Sequence, residues 1–223
     1  MNYYSENLHA SKLQKCYEIA PERIRRLLKE EIDFILKKIS IDDVVLELGC
    51  GYGRVSVKLA ERAKEVIGID ISPDNIELAK SMYDIDKLQF YVMNAVKLDF
   101  PSNMFDKTIC VQNGISSFKE DPFLLLTEAL RVTKAGGTVL FSSYADEIWE
   151  DRLHWFQLQA EAQLLGEIDY AHTKDGIIIC KDGFKATTYS ENDFLDLASK
   201  CNVKANISVV DHSTVFCEIK KNI

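Results

Sequence analysis

The spacing of apolar residues changes once along the chain. Between Pro21 and Ile39, Ile24, Leu27, Leu28, Ile32, Phe34, Ile35 and Ile39 recur at helical spacing and form one apolar stripe. The stripe predicts a helix beginning at Pro21, whose missing N–H suits a first helical position. A further helix is predicted before it, from about Ser5 to Glu18. From Val44 the pattern turns into short apolar runs: Val44 to Leu48, Val66 to Ile69, Leu88 to Val92, Lys107 to Val111 and Thr138 to Phe141. Helical segments separate them. Short buried strands alternating with helices predict a doubly wound α/β fold, with a mostly parallel sheet covered on both faces.

Punctuation residues refine the boundaries. Ser72 before Pro73 and Asp121 before Pro122 each pair a capping side chain with an N1 proline, so helices are expected toward Tyr83 and over Phe123 to Val132. Gly136 and Gly137 are expected to end the second of these and open the next strand. A long helix is predicted from about Asp146 to Leu165. Gly176 to Cys180 and Phe184 to Thr188 flank Lys181-Asp182-Gly183 and predict an inserted β-hairpin. Ser190 and Asp193 form a capping box for a helix ending near Cys201, and Val203 to Val210 with Thr214 to Ile219 supply a terminal antiparallel pair.

The chain has 223 residues, 47% of them hydrophobic, enough for one substantial core. A single domain is expected: a helical cap over 1–40, an alternating strand-and-helix core over 41–144, a helix and hairpin insertion over 145–189, and a final helix and strand pair over 190–223. The formal charge of -8 and a pI near 5.1 argue against a nucleic-acid partner unless a basic patch is concentrated locally. The densest basic stretch, Arg23 to Lys38, is interleaved with Glu22, Glu30, Glu31 and Asp33 and reads as a solvated helix face laced with i,i+4 pairs. Six cysteines without a CxxC pair read as reduced core residues and imply no metal site. No run has signal-peptide or membrane-spanning character, so a soluble, cytoplasmic protein without a membrane partner is expected. Oligomeric state is left open.

The chemistry centres on Val44-Val45-Leu46-Glu47-Leu48-Gly49-Cys50-Gly51-Tyr52-Gly53-Arg54. A buried strand runs into a turn with glycine at alternate positions, where the backbone can bend sharply and approach a ligand. Asp70 ends the second strand about 20 residues later, where an acid meets ribose hydroxyls in nucleotide-binding sheets. The dinucleotide fingerprint GxGxxG would need glycine at position 54 or 56; those positions hold Arg54 and Ser56, so a nicotinamide-linked oxidoreductase is disfavoured.

The observed ExGxGxG resembles the first motif of class I S-adenosylmethionine-dependent methyltransferases. The resemblance continues through Phe90 to Ala95, through Phe105 to Ile109 with Gln112-Asn113 beyond it, and into Gly136 to Leu140. It implies a seven-stranded sheet in the order 3-2-1-4-5-7-6, the last strand antiparallel, and S-adenosyl-L-methionine as cofactor. Glu47, Gly49, Cys50, Gly51, Gly53, Asp70, Ile71, Asn94, Ala95, Gln112 and Asn113 are the cofactor residues it implies. Asn94 stands where the family usually has an acid.

Methyl transfer by in-line displacement needs mainly positioning, worth roughly 7 to 11 kcal/mol in well-oriented systems, so a dedicated base is optional. Tyr144 and His154 are candidate proton acceptors by residue type. Substrate contacts are expected above the carboxyl ends of the strands. Tyr3, Tyr4, Ser116, Tyr144 and Trp155 are the candidates there, with the N-terminal helix and the Lys181 to Gly183 turn as a lid. Asn113-Gly114-Ile115-Ser116 lacks the NPPY-like motif of base and glutamine methyltransferases. The expectation is therefore a small-molecule methyl acceptor with an O, N or S nucleophile. A protein or RNA methyltransferase and a non-catalytic S-adenosylmethionine-binding protein remain as alternatives.

Overall fold

The computed structural model describes Tyr3 and residues 8–222. Two helices lead in, α1 (Ala10–Glu18) and α2 (Glu22–Leu36). Positions 5–7 of the expected first helix, and Tyr4, lie outside the described residues. Pro21 is the N-cap of α2 rather than its first helical residue, with ψ 163. The core follows as β1 (Val44–Leu48), α3 (Ser56–Ala60), β2 (Glu65–Asp70), α4 (Pro73–Met82), β3 (Leu88–Val92), β4 (Phe105–Cys110), α5 (Gly114–Ser117), α6 (Pro122–Val132) and β5 (Thr133–Tyr144). Then come a 3-10 turn at Asp146–Ile148, α7 (Trp149–Glu161), a hairpin of β6 (Ile178–Ile179) and β7 (Lys185–Ala186), α8 (Glu191–Lys200), β8 (Ala205–Val210) and β9 (Thr214–Lys220).

The main sheet runs β3-β2-β1-β4-β5-β9-β8, parallel except that β9 is antiparallel to both neighbours. With the separate hairpin discounted, this is the order expected from the sequence. Strand alternation sends Val45 to a core on one face, with Leu59, Val66 and Phe216, and Leu46 and Leu48 to a core on the other, with Phe105, Phe141 and Phe194. A third apolar cluster lies over the carboxyl ends of the strands and joins Cys16, Ile24 and Leu27 to Trp155, Phe156, Ile168 and Phe184. The caps at Ser72 and Asp121 accept from Asn75 and Phe123 backbone N–H, and the box at Ser190 and Asp193 is complete.

Three local expectations need correction. Gly136 does not end α6: the helix stops at Val132, with Thr133 already extended, and β5 is longer than its apolar run. Gly136 instead has φ 74 inside β5 and donates its N–H to Lys221 O at 2.9 Å, in a stretch where the pairing with β4 shifts register. The long helix breaks into the 3-10 turn and α7, and Leu164 and Leu165 lie beyond its end. The charges of α2 and of the residues just after it pair mainly across the fold. Arg23 and Arg26 hold Asp211 and Lys38 holds Glu218, while Lys29–Asp33 is an i,i+4 pair. Glu31, read as part of that solvated face, is 1% exposed.

Candidate functional site

β1 ends in a turn whose Gly49 and Cys50 N–H groups both donate to Ile69 O at 2.8 Å. Gly49, Gly51 and Gly53 all have left-handed backbones, at φ 74, 55 and 86. A Cβ on Gly49 would lie 3.0 Å from the Phe118 ring, and one on Gly51 3.1 Å from Leu13 Cδ2. Both glycines line a cavity, with Phe118 and Leu13 packed closely against them. Gly53 serves packing, because a Cβ there would lie 2.6 Å from the Phe90 ring.

Asp70 sits at the end of β2 beside that turn. Its Oδ2 accepts from Gly51 N–H at 2.9 Å, and its Oδ1 from Ser72 N–H at 2.8 Å and Asn75 Nδ2 at 3.2 Å. Burial pushes its carboxyl above the ordinary range against the pull of those donors. Asn75 also accepts from Ala10 N–H at 2.7 Å, so the acid is tied to the first turn of α1. Glu47, 3% exposed, accepts from Ser56 Oγ. Burial is the main reason its carboxyl is pushed up to about 7; Ser56 and Arg54 oppose this, while Asp70 and Glu31 add to it.

The end of β4 is a strained corner, with Gln112 and Asn113 both left-handed at φ 55 and 58. Glu31 clasps it: Gln112 N–H donates to Glu31 Oε1 at 3.0 Å, and Ser142 Oγ donates to the same oxygen. The Gln112 side chain accepts from Tyr17 OH at 2.9 Å, while its Nε2 is buried without a partner among the described residues. Arg54 stacks on the Tyr17 ring at 4.5 Å, with Nε and Nη2 equally unpartnered. Buried donors in this state are costly unless a ligand meets them.

Glu47, Gly49, Cys50, Gly51, Asp70, Ile71 and Gln112 line one cavity together with Tyr144 and Trp155. Others of the expected set lie elsewhere. Asn94 Oδ1 accepts from Val96 N–H, and Ala95 is in the core below the sheet. Asn113 turns away, donating to Ser116 Oγ and Thr187 O and accepting from Ser143 Oγ. Ser116 is occupied by that bond, and His154 is exposed on the outer side of α7. Tyr3 meets the hairpin, bonding Asp182 and packing edge-on to Phe184 at 5.1 Å. Residues the sequence reading missed are Leu13, Tyr17, Arg54, Asn75, Phe118 and Gln159, all lining the cavity. Arg54 directly follows the last glycine, and Gln159 lies one turn after Trp155 and Phe156, so spacing could have flagged both. Among the described residues no His, Cys, Asp or Glu cluster is placed to hold a metal, and no helix is long and apolar enough to cross a membrane.

Residues 45–137 match the model of a family described as a methyltransferase domain. A probable ribosomal RNA small subunit methyltransferase A of Methanosarcina acetivorans is 32% identical over 34% of this chain and 28% of its own length. A malonyl-[acyl-carrier protein] O-methyltransferase of Erwinia billingiae is 34% identical over 53% of this chain and 46% of its own. The chain thus matches less than half the length of either. In fold it is similar to the PH0226 protein of Pyrococcus horikoshii, at a TM-score of 0.67 and 19% identity over 99% of this chain and 98% of that one. With the strand order, the glycine turn and the acid ending β2 in place, residues 45–137 carry a methyltransferase domain on a class I S-adenosylmethionine-dependent methyltransferase fold.

Proposed function

We propose that the chain transfers the methyl group of S-adenosylmethionine to an O, N or S nucleophile of a small molecule. The cofactor fits the residues present. Gly49 and Gly51 bring backbone without side chains to the cavity wall, Asp70 would accept from ribose hydroxyls, and Glu47 would offer a buried carboxylate to the cofactor's ammonium. The unpartnered Gln112 Nε2 and Arg54 N–H groups complement its carboxylate. When bound, the cofactor would supply an electrophilic methyl group to the acceptor's lone pair. The protein's part is to orient both partners and exclude water.

The observation that carries the small-molecule reading is the roof over the acceptor side. Trp155 Nε1 of α7 donates to Cys16 O of α1 at 2.9 Å, and the Tyr17 and Trp155 rings meet at 6.0 Å. This closes the cavity with the helix that the sequence suggests as a lid. The paired charges of α2 leave little basic surface for a polynucleotide, although one relative is named as an RNA methyltransferase. All six cysteines are free, in keeping with a reducing, cytoplasmic setting. Labelled cofactor incubated with total RNA, DNA, protein extract and a metabolite fraction tests the reading. Label is expected in the metabolite fraction; label in RNA, DNA or protein alone overturns it, and no transfer at all favours a non-catalytic binder.

Glu47 sets a pH dependence. Its carboxyl, held near 7 without ligand, must ionise to receive an ammonium, so binding favours the deprotonated form. Affinity for S-adenosylhomocysteine is expected to rise about tenfold per unit as pH climbs toward 7 and to level off above it. Calorimetry across that range checks this. Glu47→Gln should flatten the slope, and a flat profile in the unsubstituted protein would remove Glu47 from the ammonium site.

A further inference from the structure

We propose that the acceptor end of the cavity is shaped for a flat aromatic molecule carrying one hydrogen-bonding group, and that Gln159 reads that group. The inference builds on the methyl-transfer reading, which identifies this end of the cavity as the acceptor's. The glycine turn, Glu47 and Asp70 occupy the part over β1 and β2. Past Gln112 and Gly114 at the end of β4, the cavity continues to Tyr144 at the end of β5 and to Trp155, Phe156 and Gln159 on α7, with Phe118 opposite the glycines.

The rings of this wall are held in place before any ligand arrives. Trp155 spends its only donor on Cys16 O and meets the Phe156 ring at 5.9 Å and 69°. The Arg152 guanidinium lies over the Tyr144 ring at 4.8 Å and over Phe156 at 5.5 Å. Rigid, pre-set aromatic faces bind a flat ring with little side-chain ordering, and offset or edge-to-face contacts reward an aromatic ring over a saturated one of equal size.

Gln159 is the amide in this largely aromatic wall. It is 3% exposed, lines the cavity, and its side-chain amide is hydrogen-bonded by none of the described residues. Leucine would fill similar volume without burying an amide. An amide held here is satisfied when a bound molecule brings a donor or acceptor to it, and a site of this kind discriminates strongly against an analogue lacking that atom. Gln159 is thus a specificity-determining residue, and the recognised class is a hydroxy-, amino- or thiol-bearing aromatic ring rather than an aliphatic chain.

Calorimetry on the S-adenosylhomocysteine complex tests this with three probes of matched size: 2-naphthol, naphthalene and decahydro-2-naphthol. 2-Naphthol is expected to bind about tenfold more tightly than either of the others, the size of one buried hydrogen bond or one set of ring contacts. Gln159→Leu should erase the preference over naphthalene while leaving affinity for S-adenosylhomocysteine unchanged, and Gln159→Met serves the same purpose should the leucine variant fold poorly. Equal binding of the saturated alcohol, no binding of 2-naphthol, or a preference that survives both substitutions would each overturn the proposal. The predicted binding pattern without any methyl transfer in the labelled-cofactor screen would support the pocket and refute the methyl-transfer reading instead.

Discussion

Replacing Gly51 by valine is expected to abolish measurable S-adenosylmethionine binding. The backbone there has φ 55, a left-handed conformation that costs an ordinary L-residue roughly 1 to 2 kcal/mol and a β-branched one more. Space is short as well. A Cβ alone would come to 3.1 Å from Leu13 Cδ2, so the two γ-methyls of valine must displace α1 or fill the cavity. Any backbone shift also pulls the Gly51 N–H off Asp70 Oδ2, a contact that orients the Asp70 carboxylate. These losses together correspond to roughly a hundredfold or more in affinity. Gly51→Ala shares the backbone strain but adds only one carbon, so it should retain weak binding and rank between the two. The measurement is calorimetry with S-adenosylhomocysteine on variants shown folded by circular dichroism; unchanged affinity in Gly51→Val would mean that the ligand does not approach this turn.

The glycine turn and Asp70 were legible because their signal is local. A left-handed backbone demands glycine, and an acid at a strand end needs only the strand's length to be placed. The elements were legible for a related reason: buried parallel strands print continuous apolar runs, and the capping residues at Ser72, Asp121 and Ser190 mark where helices begin, whereas the order of the strands came from the family resemblance. Gly136 misled because a left-handed glycine suits a strand irregularity as well as a helix end, and only the Lys221 contact from the far end of the chain decides between them.

Glu31 was illegible for the opposite reason. In sequence it is one acid in a helix full of charges, and its burial follows from where α2 packs, over the strained corner at Gln112. The corner itself gave only a weak sign: Asn113 is of a type that tolerates a left-handed backbone, but Gln112 is not. Asn113 shows how a motif position can be right in the chain and turned away in space. It lies one residue beyond Gln112, and its amide is consumed by Ser116, Thr187 and Ser143. Tyr17 reaches the cavity from an element outside the shared sheet, where spacing along the chain carries no information about what lies opposite.

Asp70→Ala is expected to weaken cofactor binding by about 10- to 150-fold while leaving the fold intact, since a charge-assisted hydrogen bond contributes roughly 1.5 to 3 kcal/mol. Part of the effect is indirect. The carboxylate also gathers Gly51 N–H, Ser72 N–H and Asn75 Nδ2, and Asn75 in turn holds Ala10 N–H at the start of α1. Alanine leaves three donors without that acceptor and loosens the attachment of the helix that covers the cavity. A partial compensation comes from burial, which raises the Asp70 carboxyl and so makes its removal less costly to stability than the loss of three bonds alone would suggest. Asp70→Asn keeps one acceptor oxygen and should fall between the two proteins in affinity. Asn75→Leu isolates the indirect part: it leaves the Asp70 carboxylate in place, so its effect on affinity should be smaller than that of Asp70→Ala. Dissociation constants for S-adenosylhomocysteine measured on all three variants check the ranking, and an unchanged constant in folded Asp70→Ala would refute the assignment of Asp70 to the ribose.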